Sequence, residues 1–185
     1  MTHYQDMEVI PDEMSGKTVM MNLLFNRLHK ALATLGDGSI GISFPKMDKT
    51  PGHILRLHGT KDALLRLERL SWPGPMKASI VVGGINDVPK EVQGYRTINR
   101  KQFKSNPERL RRRLAKRHNL SMEEAVKRIP DTYEQTSDLP FLQARSSSTG
   151  QRFRLFIEAG PLLDKPREGK FSAYGLSATA TVPQF

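Results

Sequence analysis

The 185 residues carry 29 Lys and Arg against 19 Asp and Glu, a formal net charge of +10 that points to an acidic partner, and 37% apolar residues is enough for one packed domain or two small ones. The sequence has no cysteine, which excludes disulfides, thiolate nucleophiles and the usual structural zinc sites together. No apolar run approaches the roughly 20 residues needed to cross a bilayer, and residues 1–6 lack the basic and apolar regions of a signal peptide, so a soluble, cytoplasmic protein is expected.

Residues 3–10 alternate as a strand with Met7 and Val9 inward, and Pro11 stops it. Ser15 is the expected N-cap of a helix in which Val19, Met20, Leu23, Leu24, Leu28, Ala31, Leu32 and Leu35 keep a 3.6-residue period up to Gly36. Ile40, Ile42 and Phe44 alternate as a second strand, and residues 54–58 form a third. Thr60 opens a second helix with Leu64, Leu67 and Leu70 on one face, broken by Trp72-Pro73-Gly74-Pro75. Residues 78–82 read as a short buried strand ended by Gly83-Gly84. This βαββαβ order predicts a ferredoxin-like domain over residues 1–92. Many RNA binders share that fold, but it proves no function, and no strand carries the aromatic run on which an RRM stacks bases.

Residues 89–94 are the expected linker to a smaller C-terminal α+β domain over residues 93–185. Residues 95–103 feed a helix at 106–118, where Ser105 or Asn106 suits the N-cap, Pro107 the first turn, and Glu108 a capping box with Ser105. At about 100° per residue, Leu110 and Leu114 share one side, while Arg109, Arg112, Arg113, Lys116 and Arg117 fan over the adjoining arc. Residues 100–117 hold nine Lys or Arg and one acidic residue, Glu108, so eight of the ten net positive charges fall within eighteen residues. Residues 1–99 carry twelve basic and ten acidic side chains, and residues 118–185 carry eight of each. A merely solvated helix face usually interleaves both signs, so this one is read as a phosphate-binding element. It has no broad Trp, Phe or Leu face to insert into a membrane surface. Asn119 ends the helix, Ser121 and Glu124 form a capping box for the next, and Pro130 stops that one. Later strands are expected at residues 141–146, 152–158 and 171–176, with serine-rich residues 146–150 turning between the first two.

Metal catalysis on phosphates needs clustered carboxylates, and the nineteen acidic residues are scattered, which argues against a metal nuclease. The remaining route to RNA cleavage is internal: the ribose 2′-OH attacks its own phosphate, and the protein moves protons and holds geometry. Histidine, serine and tyrosine suffice. Taken alone, His29 is a boundary residue at the edge of an apolar stripe, Ser146 to Ser148 are a polar turn, and Tyr174 is core. His3, His53, His58 and His118 read as strand-surface or helix-end residues.

Several stretches in one order change those readings. Arg100-Lys101-Gln102, Lys104-Ser105-Asn106-Pro107-Glu108-Arg109-Leu110-Arg111-Arg112-Arg113-Leu114 and Lys127-Arg128-Ile129-Pro130-Asp131-Thr132 closely resemble the CRISPR type I-F repeat-processing endoribonuclease family. So do Ser148-Thr149-Gly150-Gln151, Phe153-Arg154-Leu155-Phe156-Ile157, Tyr174-Gly175-Leu176-Ser177, Leu28-His29 and the opening His3-Tyr4. The resemblance is dense from residue 95 to 177, looser between 36 and 89, and departs in residues 178–183 and in the loops of residues 45–52.

The resemblance implies a metal-independent enzyme, without cofactor, that binds the repeat hairpin of a precursor transcript and cuts at the 3′ base of the stem. The products would be a 2′,3′-cyclic phosphate and a 5′-OH. It would then stay on the guide RNA as a subunit of the surveillance complex. In the family the histidine matching His29 serves in proton transfer at the 2′-OH, the serine matching Ser146 holds that hydroxyl, and the tyrosine matching Tyr174 orients the histidine. Arg100 and Gln102 match the pair that reads a guanine and an adenine low in the stem, in keeping with the bidentate fits of Arg to G and Gln to A. Phe153 matches the aromatic that stacks beneath the terminal base pair, and Ser148 matches a further RNA-binding serine. Arg113 and Arg117 match arginines of a helix that enters the RNA major groove. An intact A-form major groove is too narrow for ordinary readout, so entry relies on the open end of a short hairpin. Two rivals predict binding without scission: a non-catalytic structured-RNA-binding protein, and a helix-turn-helix DNA regulator built on Arg109 to Ile129. The second is weakened because its more basic helix comes first.

Overall fold

The computed structural model describes residues 1–11, 15–102, 107–130, 137–146 and 150–185. They form two compact units, Met1–Lys101 with Leu139–Phe185, and Gln102–Asp138.

The first unit begins with strand β1 (His3–Val9), helix α1 (Lys17–Leu35), strands β2 (Gly41–Ser43) and β3 (Ile54–Gly59), helix α2 (Lys61–Arg69) and strand β4 (Ile80–Val82). The sheet runs β2-β3-β1-β4, antiparallel throughout, and a short strand β5 (Asn86–Asp87) also pairs with β1. This is the ferredoxin-like order expected from the alternation of strand and helix periods. Met7 and Val9 point from β1 into a core with Leu55 and Leu57 of β3, Leu24, Phe25, Leu28 and Leu32 of α1, and Leu64 and Leu67 of α2.

Local chemistry accounts for where the elements start and stop. Gly36 ends α1 in the left-handed conformation with φ +66°, its amide donating to the Leu32 carbonyl. Thr60 caps α2 by accepting from the Ala63 amide. Several sequence expectations are corrected. The N-cap of α1 is Gly16, with no side-chain cap, rather than Ser15. Val19 and Leu23 lie about half exposed, so the buried stripe is carried by Met20, Met21, Leu24, Leu28 and Leu32. Leu70 follows α2 as its C-cap and is exposed. The expected buried strand at 78–82 starts as a 3-10 turn (Gly74–Ser79), because Pro73 and Pro75 restrict φ, and only Ile80 of β4 is buried.

Strands on both sides of residue 92 fall in the first unit. Strand β6 (Gly94–Arg96) pairs with β10 (Val182–Gln184), a strand that sequence periodicity did not reveal. Strands β7 (Ile98–Lys101), β8 (Phe141–Arg145) and β9 (Arg152–Ala159) make an antiparallel sheet in the order β7-β9-β8. The third late strand, expected at 171–176, is a turn instead. Ser172 exchanges backbone bonds with Leu176 and Gly175, and Gly175 stands at φ +71°.

The second unit is a helical hairpin of α3 (Pro107–His118) and α4 (Met122–Arg128). The proposed caps Ser105 and Asn106 lie outside the described residues. Asn119 takes φ +50° where α3 ends, and Ser121 and Glu124 make the expected capping box of α4. The Arg111 Nε donates to the Ile129 carbonyl at 2.7 Å, tying the two helices, and Ala125 is fully buried.

Candidate active site

His29 sits in the buried run of α1 with 8% of its surface exposed. Its Nδ1 lies 2.8 Å from the Ala173 carbonyl oxygen. A carbonyl only accepts, so Nδ1 carries the hydrogen, and in the neutral ring the lone pair is on Nε2. Tyr174 lies flat against the imidazole, with ring centroids 4.0 Å apart and planes at 10°, and the Phe25 ring lies 6.1 Å from that of Tyr174 with planes at 12°. One hydrogen bond and one stacked ring thus fix both the tautomer and the plane of His29.

The 172–176 turn supplies both contacts, and its shape depends on Gly175. The positive φ favours glycine, and a Cβ at this position would stand 2.7 Å from the Ile42 Cγ2. The Ile42 amide donates to the Gly175 carbonyl at 2.9 Å, and the Ser177 amide to the Ile98 carbonyl at 2.9 Å, so the turn is pinned between β2 and β7. In a strand the Ala173 carbonyl would lie in the plane of the sheet while the Tyr174 side chain projected from its face. The turn gives both to the same histidine.

Beside this cluster, the Arg100 guanidinium on β7 stands 4.9 Å from the Phe153 ring centroid and 6.0 Å from that of Tyr174. The structure therefore brings His29, Tyr174, Arg100 and Phe153 into one contact group, although 145 positions separate the first two in sequence. Ser146 closes strand β8: its amide donates to the Gln151 carbonyl and its carbonyl accepts from the Gly150 amide, both at 2.9 Å. The turn expected over 146–150 is thereby closed at its ends, while Ser148 lies outside the described residues.

Two side chains that sequence reasoning passed over join β8 to α1. The Asn22 Oδ1 accepts from the Gln143 amide at 2.9 Å. The Asn26 Nδ2 donates to the Gln143 carbonyl at 2.7 Å, and its Oδ1 accepts from the Arg145 amide at 2.9 Å. Asn22, Asn26 and His29 occur at i, i+4 and i+7, one face of a helix. That polar stripe along an apolar helix was the available signal, hidden because each residue by itself reads as an ordinary boundary position.

In the second unit, Arg109, Arg112, Arg113, Lys116 and Arg117 are all exposed on α3, while Leu110 and Leu114 are half-buried. Arg111 differs: it is buried and used within the hairpin. Arg112 pairs with Glu108 one turn earlier. Gln102, just after β7, is exposed. Among the described residues, no three His, Asp or Glu side chains come together in a way that could hold a metal ion, and no helix is long and apolar enough to cross a membrane.

Residues 4–185 match the family model described as CRISPR-associated protein (Cas_Csy4). Two similar proteins are both named CRISPR-associated endonuclease Cas6/Csy4. The one from Escherichia coli (strain UTI89 / UPEC) is 44% identical over 185 residues. The one from Pseudomonas aeruginosa (strain UCBPP-PA14) is 46% identical over 188 residues. Each alignment covers 100% of both chains.

Proposed function

Because the chain belongs to the Cas_Csy4 family of CRISPR-associated proteins, we propose that it is an endoribonuclease that binds the repeat hairpin of a precursor CRISPR RNA and cuts at the 3′ base of the stem. The reaction needs no metal ion. His29 takes the 2′-OH proton on Nε2, the freed O2′ bonds to the adjacent phosphorus, and the P–O5′ bond breaks with O5′ taking a proton from water, leaving a 2′,3′-cyclic phosphate and a 5′-hydroxyl. The imidazolium then returns its proton to solvent. Ser146 holds the 2′-OH, and Tyr174 keeps the imidazole in plane.

The observation that carries this reading is the His29 geometry. The Nδ1 contact to the Ala173 carbonyl leaves Nε2 as the atom that can accept a proton, and Tyr174, stacked on the ring, ties His29 to the contact group with Arg100 and Phe153. Arg100 and Gln102 read a guanine and an adenine low in the stem, Phe153 stacks beneath the terminal base pair, and Ser148 adds an RNA contact. Arg109, Arg112, Arg113, Lys116 and Arg117 neutralise stem phosphates. The cut RNA stays bound, and the protein remains on it with the other subunits of the surveillance complex.

The test is cleavage in EDTA of the cognate repeat hairpin in two forms, one all RNA and one with a single 2′-deoxy nucleotide upstream of the scissile phosphate. Only the first is expected to be cut. Cutting of both would refute attack by the 2′-OH. Cutting of neither, with tight binding retained, would favour a non-catalytic RNA-binding protein.

A further inference from the structure

Among the described residues, the outer edge of strand β8 has no neighbouring strand in its sheet, where the order ends β7-β9-β8. In an antiparallel pair, alternate residues turn their amide and carbonyl toward such an edge, here Gln143 and Arg145. Three backbone groups on that edge are met by side-chain amides of α1. The Gln143 amide reaches Asn22 Oδ1 at 2.9 Å, its carbonyl Asn26 Nδ2 at 2.7 Å, and the Arg145 amide Asn26 Oδ1 at 2.9 Å. Asn26 also donates to the Asn22 carbonyl at 2.7 Å, which holds its amide plane against its own helix. A primary amide is the side-chain group that donates and accepts in one plane as a peptide does, so Asn22 and Asn26 stand in for a missing strand.

Two neighbours give this clamp its meaning. Arg145 immediately precedes Ser146, and Asn26 lies one helical turn before His29. The same three bonds therefore set the offset between the backbone that carries the serine and the helix that carries the imidazole.

We propose that Asn26 is a positioning residue for RNA cleavage: by bonding the Arg145 amide and Gln143 carbonyl, it fixes Ser146 relative to His29 so that the 2′-OH and the proton acceptor meet in line. The inference rests on the cleavage reading given above. Asn26 touches no reacting atom, and its effect passes through the register of β8 against α1. A displacement of about 1 Å between reacting groups costs on the order of 10²-fold in rate.

The experiment measures single-turnover cleavage and equilibrium binding of the repeat hairpin for the full chain, for Asn26→Ala and Ser146→Ala, and for the double variant. Asn26→Ala is expected to cut about 10- to 100-fold more slowly while the hairpin Kd stays within about threefold. In the Ser146→Ala background the same change should cost little more, because the group it positions is already gone. Asn26→Asp guards against an alanine variant that fails to fold. It is nearly isosteric and keeps the acceptor for the Arg145 amide, yet it loses the donor to Gln143, and it too should cut more slowly with binding retained. Wild-type cleavage rates in both Asn26 variants would overturn the proposal. So would an equal loss with and without Ser146, or loss of binding in step with cleavage, either of which marks a purely structural residue. A wild-type protein that leaves the hairpin uncut would overturn the cleavage reading and this inference with it, whereas a cutting wild type with unaffected variants overturns this inference alone.

Discussion

His29 interrupts a buried run of α1 that is otherwise apolar, and its two ring nitrogens have different surroundings. With Nδ1 tied to the Ala173 carbonyl at 2.8 Å, proton exchange belongs to Nε2. His29→Ala should bind the repeat hairpin nearly normally and cleave it about 10² to 10⁴ times more slowly, the range of a general acid-base group. Full-speed cleavage by this variant in a single-turnover assay would remove His29 from the mechanism. The partner prediction concerns Tyr174, whose contact with His29 is made by the ring face at 4.0 Å. If stacking is what orients the imidazole, Tyr174→Phe keeps the contact and cuts within a few-fold of wild type, while Tyr174→Leu loses the flat face and slows by more than about tenfold. Equal losses in the two variants, measured on the same hairpin, would assign the role to the hydroxyl instead.

Helix α3 separates two kinds of arginine that look alike in sequence. Arg113 and Arg117 are exposed, whereas Arg111 is buried and donates to the Ile129 carbonyl. Each phosphate contact contributes close to one unit to the slope of log affinity against log salt. Arg113→Ala and Arg117→Ala are each expected to lower that slope by about 0.7 to 0.9 and to weaken all hairpins alike; an unchanged slope between 50 and 200 mM salt would take the residue off the phosphates. The fan of Arg109, Arg112, Arg113, Lys116 and Arg117 was legible because helical periodicity alone sorts an arc, and the Ser121–Glu124 capping box and Gly36 were legible because those signals are local. The 171–176 segment was not. Its apolar and aromatic residues mimic a strand, and the fact that Gly175 needs a positive φ against Ile42 depends on a residue more than a hundred positions away. Strand β10 escaped for the same reason, since its three residues are defined by pairing with β6 and carry too little pattern of their own. The site was split likewise: His29 and Tyr174 gained roles through family resemblance, while Asn22 and Asn26 surfaced only when β8 was seen against α1.

Charge and complete burial of a titratable group fall on different stretches of the sequence. Most of the net charge lies in residues 100–117, while the ferredoxin-like sheet buries one titratable group completely: His58 on β3, at 0% exposure, with Nε2 2.8 Å from the Ser43 Oγ. Burial, reinforced by the nearby Arg56 charge, pushes this histidine down from 6.5 to about 3. Arg56 is itself held in place by Asp6 at 2.7 Å and lies over the Tyr4 and Phe185 rings. Between pH 6.5 and 3 the unfolded chain therefore binds a proton that the native state refuses. The stabilisation is complete above pH 6.5 and falls as the pH drops toward 3, with a slope of at most about 1.4 kcal/mol per pH unit. Glu158, held below the usual carboxylate range mainly by its hydrogen bond from Lys101, adds an acid-side loss that begins only as the pH approaches the ordinary carboxylate pKa. Urea midpoints measured from pH 7 to pH 5 should thus decline for the wild type and lose much of that decline in His58→Gln, whose amide does not titrate. A wild-type midpoint that stays level across this interval would show that the sheet admits the proton, by opening around His58 or by turning its ring to water.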